Sequence, residues 1–313
     1  MTINRTTIAQ AATRIAPFIR KTPIMQITVP GFDIPVCLKL ELLQHTGSFK
    51  PRGAFNNLVG AQIPKAGVAA ASGGNHGAAV AYAAKCLTIP ARIFVPSISS
   101  PAKVARVASY GATIVQEGAN YQEAVLLCED YVRKSGALNI HAYNMEATLN
   151  GQGTLGRELE EQVPELDTIL VAVGGGGLIG GIASWYQSKS KIVGVEPETC
   201  NCLHAALASG NAITIKPSGL AADSLGASSA GALMFPIAQK YVSRVVLVGD
   251  EDIRDAQRYL WTNAQIVTEP GGAAAFAALL SGAYQPAKNE RVGVIVCGAN
   301  TPLETFNSLF ATA

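Results

Sequence analysis

The feature that most restricts the fold is the run Asp167-Thr-Ile-Leu-Val-Ala-Val173, followed by four consecutive glycines, Gly174 to Gly177. A short apolar stretch rich in β-branched residues is the pattern of a strand buried on both faces. Leu178-Ile-Gly-Gly-Ile-Ala-Ser-Trp-Tyr186 then reads as a helix. A strand, a glycine turn and a helix N-terminus together aim several backbone N–H groups, and the positive end of a helix dipole, at one point. Such a point suits a phosphate, and side chains would block the approach. A tight turn alone does not need four glycines in a row. Along the rest of the chain short strands alternate with helical stretches, which predicts an α/β fold with open parallel sheets flanked by helices.

The second constraint is Gln44-His-Thr-Gly-Ser-Phe-Lys-Pro-Arg-Gly-Ala54. Lys50 follows a Gly-Ser turn and an aromatic, Phe49, and Pro51 stands in the first turn of a predicted helix, where a missing N–H costs nothing. That arrangement holds the lysine stem in one direction, and a partly desolvated lysine is the kind that becomes a nucleophile or forms a Schiff base. On these residues alone, a capping turn with a solvated lysine accounts for the segment equally well. The glycine run also has a rival reading. Gly175, Gly177 and Gly180 satisfy the dinucleotide fingerprint, and Glu196 ends the predicted strand Lys191-Ile-Val-Gly-Val-Glu196 about where a ribose-binding acid would sit. An NAD-linked dehydrogenase would use those glycines but leave the lysine segment and Ser72-Gly-Gly-Asn-His-Gly77 unexplained. A phosphate-bearing aldehyde bonded to Lys50, pyridoxal 5'-phosphate, accounts for both glycine and lysine features with one molecule.

With Lys39-Leu-Glu41, Val195-Glu-Pro197, Glu269-Pro-Gly-Gly-Ala273 and Cys297-Gly-Ala-Asn300 added in order, nearly the whole chain resembles the fold-type II pyridoxal-phosphate enzymes. These are the tryptophan synthase β-like two-domain α/β proteins, and the resemblance is to their serine/threonine dehydratase (threonine ammonia-lyase) and serine racemase group. It implies β-elimination, the dehydration and deamination of L-threonine or L-serine to a 2-oxo acid and ammonia. Serine racemase or 3-hydroxyaspartate dehydratase are the alternatives within it. It also implies roles. Lys50 holds the cofactor as a Schiff base and then removes the substrate α-proton, and Phe49 packs near the ring. Gly174, Gly175, Gly176 and Gly177 bind the phosphate through their N–H groups, with the helix opened by Leu178 adding its dipole. Asn75 donates to the ring hydroxyl, and the loop Ser72, Gly73, Gly74, Asn75 and His76 receives the substrate carboxylate. Cys297 faces the pyridine nitrogen. A thiol, with a reference pKa of about 8.5, is mostly neutral and does not stabilise a protonated ring, which favours rapid loss of a β-hydroxyl over transamination.

Two departures bear on the choice. Racemases of this type are similar but carry a serine in place of Gly73, so efficient racemisation is not expected. Some members bind a divalent cation at positions that here fall on Glu196, Cys200 and Cys202; the second carboxylate is absent, and no metal is expected. Cys200-Asn-Cys202-Leu-His204 lacks an obvious fourth ligand for a soft metal and reads as ordinary residues.

A length of 313 residues suits roughly two domains. The small inserted one is expected over 67–143, with strands at Val68–Ser72, Arg92–Val95, Thr113–Gln116 and Asn139–Tyr143. The large one is expected from 1–66 and 144–313. With 24 Lys plus Arg against 22 Asp plus Glu, and no basic run, neither nucleic acid nor membrane lipid is an expected partner. The partner implied is an amino-acid substrate, and a homodimer is expected. No apolar run approaches about twenty residues, the length of a membrane span. Met1 to Gln10 lacks a signal-peptide core and reads as the cap and first turns of an amphipathic helix. Six cysteines without C-x-x-C spacing fit a reducing cytoplasm. No C-terminal regulatory module of the biosynthetic threonine deaminases is expected, nor feedback by isoleucine.

Overall fold

In the computed structural model, which describes residues 2–311, ten strands form two sheets. They are β1 (Ile24–Ile27), β2 (Val36–Lys39), β3 (Val68–Ala71), β4 (Ala91–Val95), β5 (Thr113–Gln116), β6 (Leu138–Asn139), β7 (Thr168–Ala172), β8 (Lys191–Pro197), β9 (Val242–Val248) and β10 (Val292–Ile295). The larger sheet has the order β1-β2-β10-β7-β8-β9. Only its edge strand β1 is antiparallel to its neighbour; β2, β10, β7, β8 and β9 run parallel. The smaller sheet, β5-β4-β3-β6, is parallel throughout.

Burial explains these assignments. Every residue of β7 is buried, as a β-branched run covered on both faces requires. The helices Gly177–Tyr186 and Pro270–Leu280 are apolar almost all round, so they lie inside the larger unit rather than on its surface. Arg5–Ile15 is the predicted amphipathic N-terminal helix. The Asn4 side chain caps it by accepting from the N–H groups of Thr6 and Thr7. Among the described residues no helix is long and apolar enough to cross a membrane.

One predicted strand is displaced. The expected strand at Asn139–Tyr143 is instead Leu138–Asn139, whose ladder with β3 stops at the Ala69 to Asn139 pair. Beyond it the N–H groups of Tyr143 and Asn144 both donate to Nδ1 of His141, at 3.3 and 3.1 Å. This local turn diverts the backbone from the sheet. The other boundaries agree to within a residue or two, the ordinary spread at element ends.

In parallel sheets, ligands sit beyond the carboxyl ends of the strands. β3 ends at Ala71 just before Ser72, β7 at Ala172 just before the glycine run, and β10 at Ile295 just before Cys297. The helix Lys50–Leu58 packs on both Asn75–Cys86 of the smaller unit and Glu146–Gln162 of the larger. Its Phe55 and Leu58 share one apolar cluster with Val68, Val80 and Ile93. Lys50 therefore starts a helix wedged between the two sheets.

Candidate active site

A cleft is lined by Phe49, Lys50, Asn75, Tyr143, Gly174 to Leu178, Glu269 and Cys297, among others. Its lysine is held from both sides. The Phe49 N–H donates to Cys297 O at 3.1 Å, which ties the start of the lysine helix to the end of β10. The Lys50 Nζ donates to Ala142 O at 3.2 Å and lies 5.0 Å from the centre of the Phe49 ring. Burial pushes the Lys50 amine down to about 8, with Cys297 and Glu269 opposing the shift. About a tenth of such an amine is unprotonated at pH 7, far more than of an ordinary lysine.

Two residues further on, Arg52 is fully buried. Its Nε and Nη2 donate to the two oxygens of Glu41 at 2.6 and 3.0 Å, and Nη2 also reaches Glu158 at 3.0 Å. Lys39 Nζ donates to Glu158 at 2.5 Å. Two cations and two carboxylates thus close a buried network that fixes the helix carrying Lys50.

The glycine run turns with Gly176 at φ +86°, and the following helix begins at Gly177, one residue before the expected start. A Cβ on Gly175 would lie 2.3 Å from the Tyr143 ring, and one on Gly176 would lie 1.9 Å from Met234 Cε. Cys202 Sγ donates to Gly174 O at 3.3 Å and steadies the loop from behind. Leu178 is buried in the first turn of the helix.

Asn75 opens the helix Asn75–Cys86. Its Nδ2 donates to Glu269 Oε1 at 2.6 Å, which leaves one of its two amide hydrogens for a ligand. Ser72 Oγ accepts from the Gly74 N–H at 3.2 Å. His76 is buried, its Nε2 sits 2.7 Å from Ile140 O, and burial together with Lys50 pushes it down to about 3. The ring is therefore neutral and committed elsewhere, so only the His76 backbone N–H is free to serve the loop. Gly73 has Ser99 Oγ 3.0 Å from where its Cβ would be. Cys297 is buried, its Sγ donates to Gly271 O at 3.3 Å, and burial raises its thiol far above the ordinary range, so it stays neutral.

Sequence reasoning missed several lining residues: Tyr143, Ser224, Leu225, Glu269 and Gly271. Only Glu269 and Gly271 stood in a segment that had been singled out. The dinucleotide reading fails at Glu196. Its carboxylate accepts from the backbone N–H groups of Leu203 and His204, at 2.9 and 2.7 Å, and so caps the next helix.

A family model described as pyridoxal-phosphate dependent enzyme matches residues 15–298. The chain belongs to that family. It is 37% identical to phenylserine dehydratase of Ralstonia pickettii, over 96% of this chain and 94% of that one. It is 36% identical to L-threonine ammonia-lyase of Thermotoga maritima, over 85% and 67% respectively. The structure of maize serine racemase superposes with a TM-score of 0.91 at 34% identity, covering 99% of this chain and 98% of that one. Fold-type II architecture and pyridoxal phosphate, both expected from the sequence, are those of this family.

The residues present fit a pyridoxal-phosphate dependent enzyme. A lysine amine lowered by burial and a glycine run in which a Cβ at 175 or 176 would collide with Tyr143 or Met234 line the same cleft. Gly176→Ala tests the cradle. A non-glycine residue at positive φ costs about 1–2 kcal/mol, and the new methyl must displace Met234. Cofactor affinity measured by equilibrium dialysis is expected to fall about tenfold or more; unchanged affinity would remove the glycine loop from the phosphate site.

Proposed function

We propose that this chain catalyses β-elimination from a β-hydroxy amino acid, L-threonine or L-serine first, giving a 2-oxo acid and ammonia. Pyridoxal phosphate, when bound, supplies the electron sink that acidifies the substrate Cα–H. Lys50 Nζ holds the cofactor and then takes the α-proton, a task suited to an amine poised close to the working pH. In net terms the α-proton and the β-hydroxyl are lost together as one water, and the released enamine tautomerises and is hydrolysed by a second water to the 2-oxo acid and ammonia. Gly174 to Gly177 with Leu178 hold the phosphate, and Phe49 flanks the ring. The Asn75 amide orients the ring, and the N–H groups of the Ser72–His76 loop receive the substrate carboxylate.

The observation that carries the reading is the neutral, buried thiol of Cys297 lining the same cleft as Lys50. A neutral partner there disfavours a long-lived carbanion. Relatives named as dehydratase and ammonia-lyase support it. Serine racemases are also relatives, but Gly73 offers no hydroxyl of its own. We read the smaller sheet and its helices, 67–143, as a domain that closes over the cleft and excludes water, and the enzyme as a cytoplasmic homodimer.

The test is a 2-oxo acid and ammonia assay across L-serine, D-serine, L-threonine, phenylserine and 3-hydroxyaspartate, with chiral analysis of the remaining substrate. Equal yields of 2-oxo acid and ammonia from at least one L-β-hydroxy amino acid are expected. Inversion at the α-carbon with no ammonia would overturn the proposal.

A further inference from the structure

Glu269 lines the cleft with Lys50 and Cys297 but takes no part in the steps above. It is buried and forms no ion pair among the described residues. Its carboxylate is instead aimed at an amide, accepting from Asn75 Nδ2 at 2.6 Å. The opposite end of that amide, Asn75 Oδ1, accepts from Asn300 Nδ2, which also donates to Thr46 O at 2.8 Å. Asn75 starts a helix of the smaller sheet, whereas Glu269, Asn300 and Thr46 lie in segments next to the larger one. Room for the carboxylate exists only because residue 298 is glycine: a Cβ there would come within 2.0 Å of Oε1.

A carboxylate differs here from an amide or a hydroxyl in one respect. Ionised, it can only accept, so Asn75 must turn its NH2 group toward it. Protonated, it is a weaker acceptor without the charge that strengthens the bond, and the Asn75 amide is then held mainly by Asn300. We propose that Glu269 is a positioning residue: its ionised carboxylate, acting with Asn300 at the other end of the amide, holds Asn75 so that it presents an N–H to the cofactor ring, and its protonation weakens that hold. This rests on the reading of Asn75 as a cofactor contact.

The groups around Glu269 allow such a switch in the neutral range. Burial pushes its carboxyl up to about 7; the Asn75 hydrogen bond opposes this, Asp223 adds to it, and Arg106 and the Asn300 N–H oppose it. Lys50 and Cys297 line the same cleft, the first mostly a cation near pH 7 and the second neutral. A carboxyl raised in this way ionises as pH rises through about 7, so Asn75 is held above that pH and loosened below it.

The test follows cofactor dissociation and the visible spectrum of the holoenzyme from about pH 6 to about pH 9. It compares the wild type, Glu269→Gln, Asn75→Ala and the double variant. Because Glu269 helps to hold the Lys50 amine up, its loss also shifts the titration of Lys50, so Glu269→Gln is read against the double variant, which shares that shift, and Asn75→Ala against the wild type. In the wild type, affinity is expected to fall about tenfold more toward the acid side than in either single variant. Glu269→Gln is expected to lose affinity at high pH and to lose the acid limb, and to add nothing once Asn75 is alanine. A Glu269→Gln profile that superimposes on the wild type, or a double variant whose loss is the product of the two singles, overturns the proposal. Should Glu269→Gln fail to fold, Asn75→Ala decides alone: an acid limb retained there has the same force. Borohydride labelling of wild-type Lys50 is the control. A wild type that is not labelled refutes the catalytic reading itself, while a labelled wild type with unaltered variants refutes only the role of Glu269.

Discussion

Lys50→Ala is expected to abolish turnover and the visible absorption of bound cofactor together, with kcat reduced about 10³-fold or more, as for the loss of an essential base. The expectation follows from where the amine sits. Burial alone moves it down to about 8, against the opposing influence of Cys297 and Glu269, so no tight ion pair occupies it. The nearest polar partner is a carbonyl, Ala142 O at 3.2 Å, which leaves the nitrogen able to move toward a ligand. Its nucleophilic form increases as pH rises through about 8, so the rate at which apoenzyme takes up cofactor should climb across that range and then level off. Lys50→Arg keeps a cation but supplies no amine of useful basicity, and it should fail as completely as alanine. Borohydride reduction followed by peptide mapping should label the Lys50 peptide in the wild type and in neither variant. Turnover retained in Lys50→Ala would overturn the assignment.

The parts of the site legible in the sequence are those whose constraint is local. Gly174 to Gly177 announce themselves because a strand, a positive-φ turn and a helix start must be made by adjacent residues. Lys50 is marked in the same way, by Pro51 after it and the Gly-Ser turn before it. Glu269 and Tyr143 reach the cleft from separate loops and Ser224 from the short helix Ala222–Leu225, and nothing in their neighbours' spacing says which way their side chains point. The course of the sheet is equally non-local. That β10, late in the chain, pairs between β2 and β7 is decided by packing of the whole. His76 shows the limit within a motif: its place at the loop is legible, while the turn of its ring onto Ile140 O depends on a strand end that lies 64 residues away in sequence.

The same non-locality produces the largest effect expected on stability, at Arg52. Its guanidinium and the Glu41 carboxylate are both wholly buried and joined by two hydrogen bonds, and Glu158 links them to Lys39. Burial works against the charge on Arg52, and the carboxylates of Glu41 and Glu158 more than reverse this, so it stays ionised. Arg52→Leu removes one cation and leaves the Glu41 carboxylate buried opposite an apolar side chain. Stranding one member of such a pair costs about 3–5 kcal/mol, against a total stability of about 5–15 kcal/mol for a typical domain. Guanidinium unfolding of the holoenzyme should show a large fall in midpoint, and cofactor affinity should drop with it because the same helix begins at Lys50. Arg52→Lys should recover little, since a single ammonium cannot span both Glu41 oxygens and Glu158. Removing both charges, in Glu41→Gln with Arg52→Leu, should be milder than Arg52→Leu alone, because no unpaired carboxylate is left at position 41. By contrast, the exposed pair Arg254 with Glu251 should change stability by less than about 1 kcal/mol when broken. If Arg52→Leu unfolds at the wild-type midpoint, the buried network does not hold the lysine helix in place, and the geometry of Lys50 must come from the Phe49 to Cys297 tie instead.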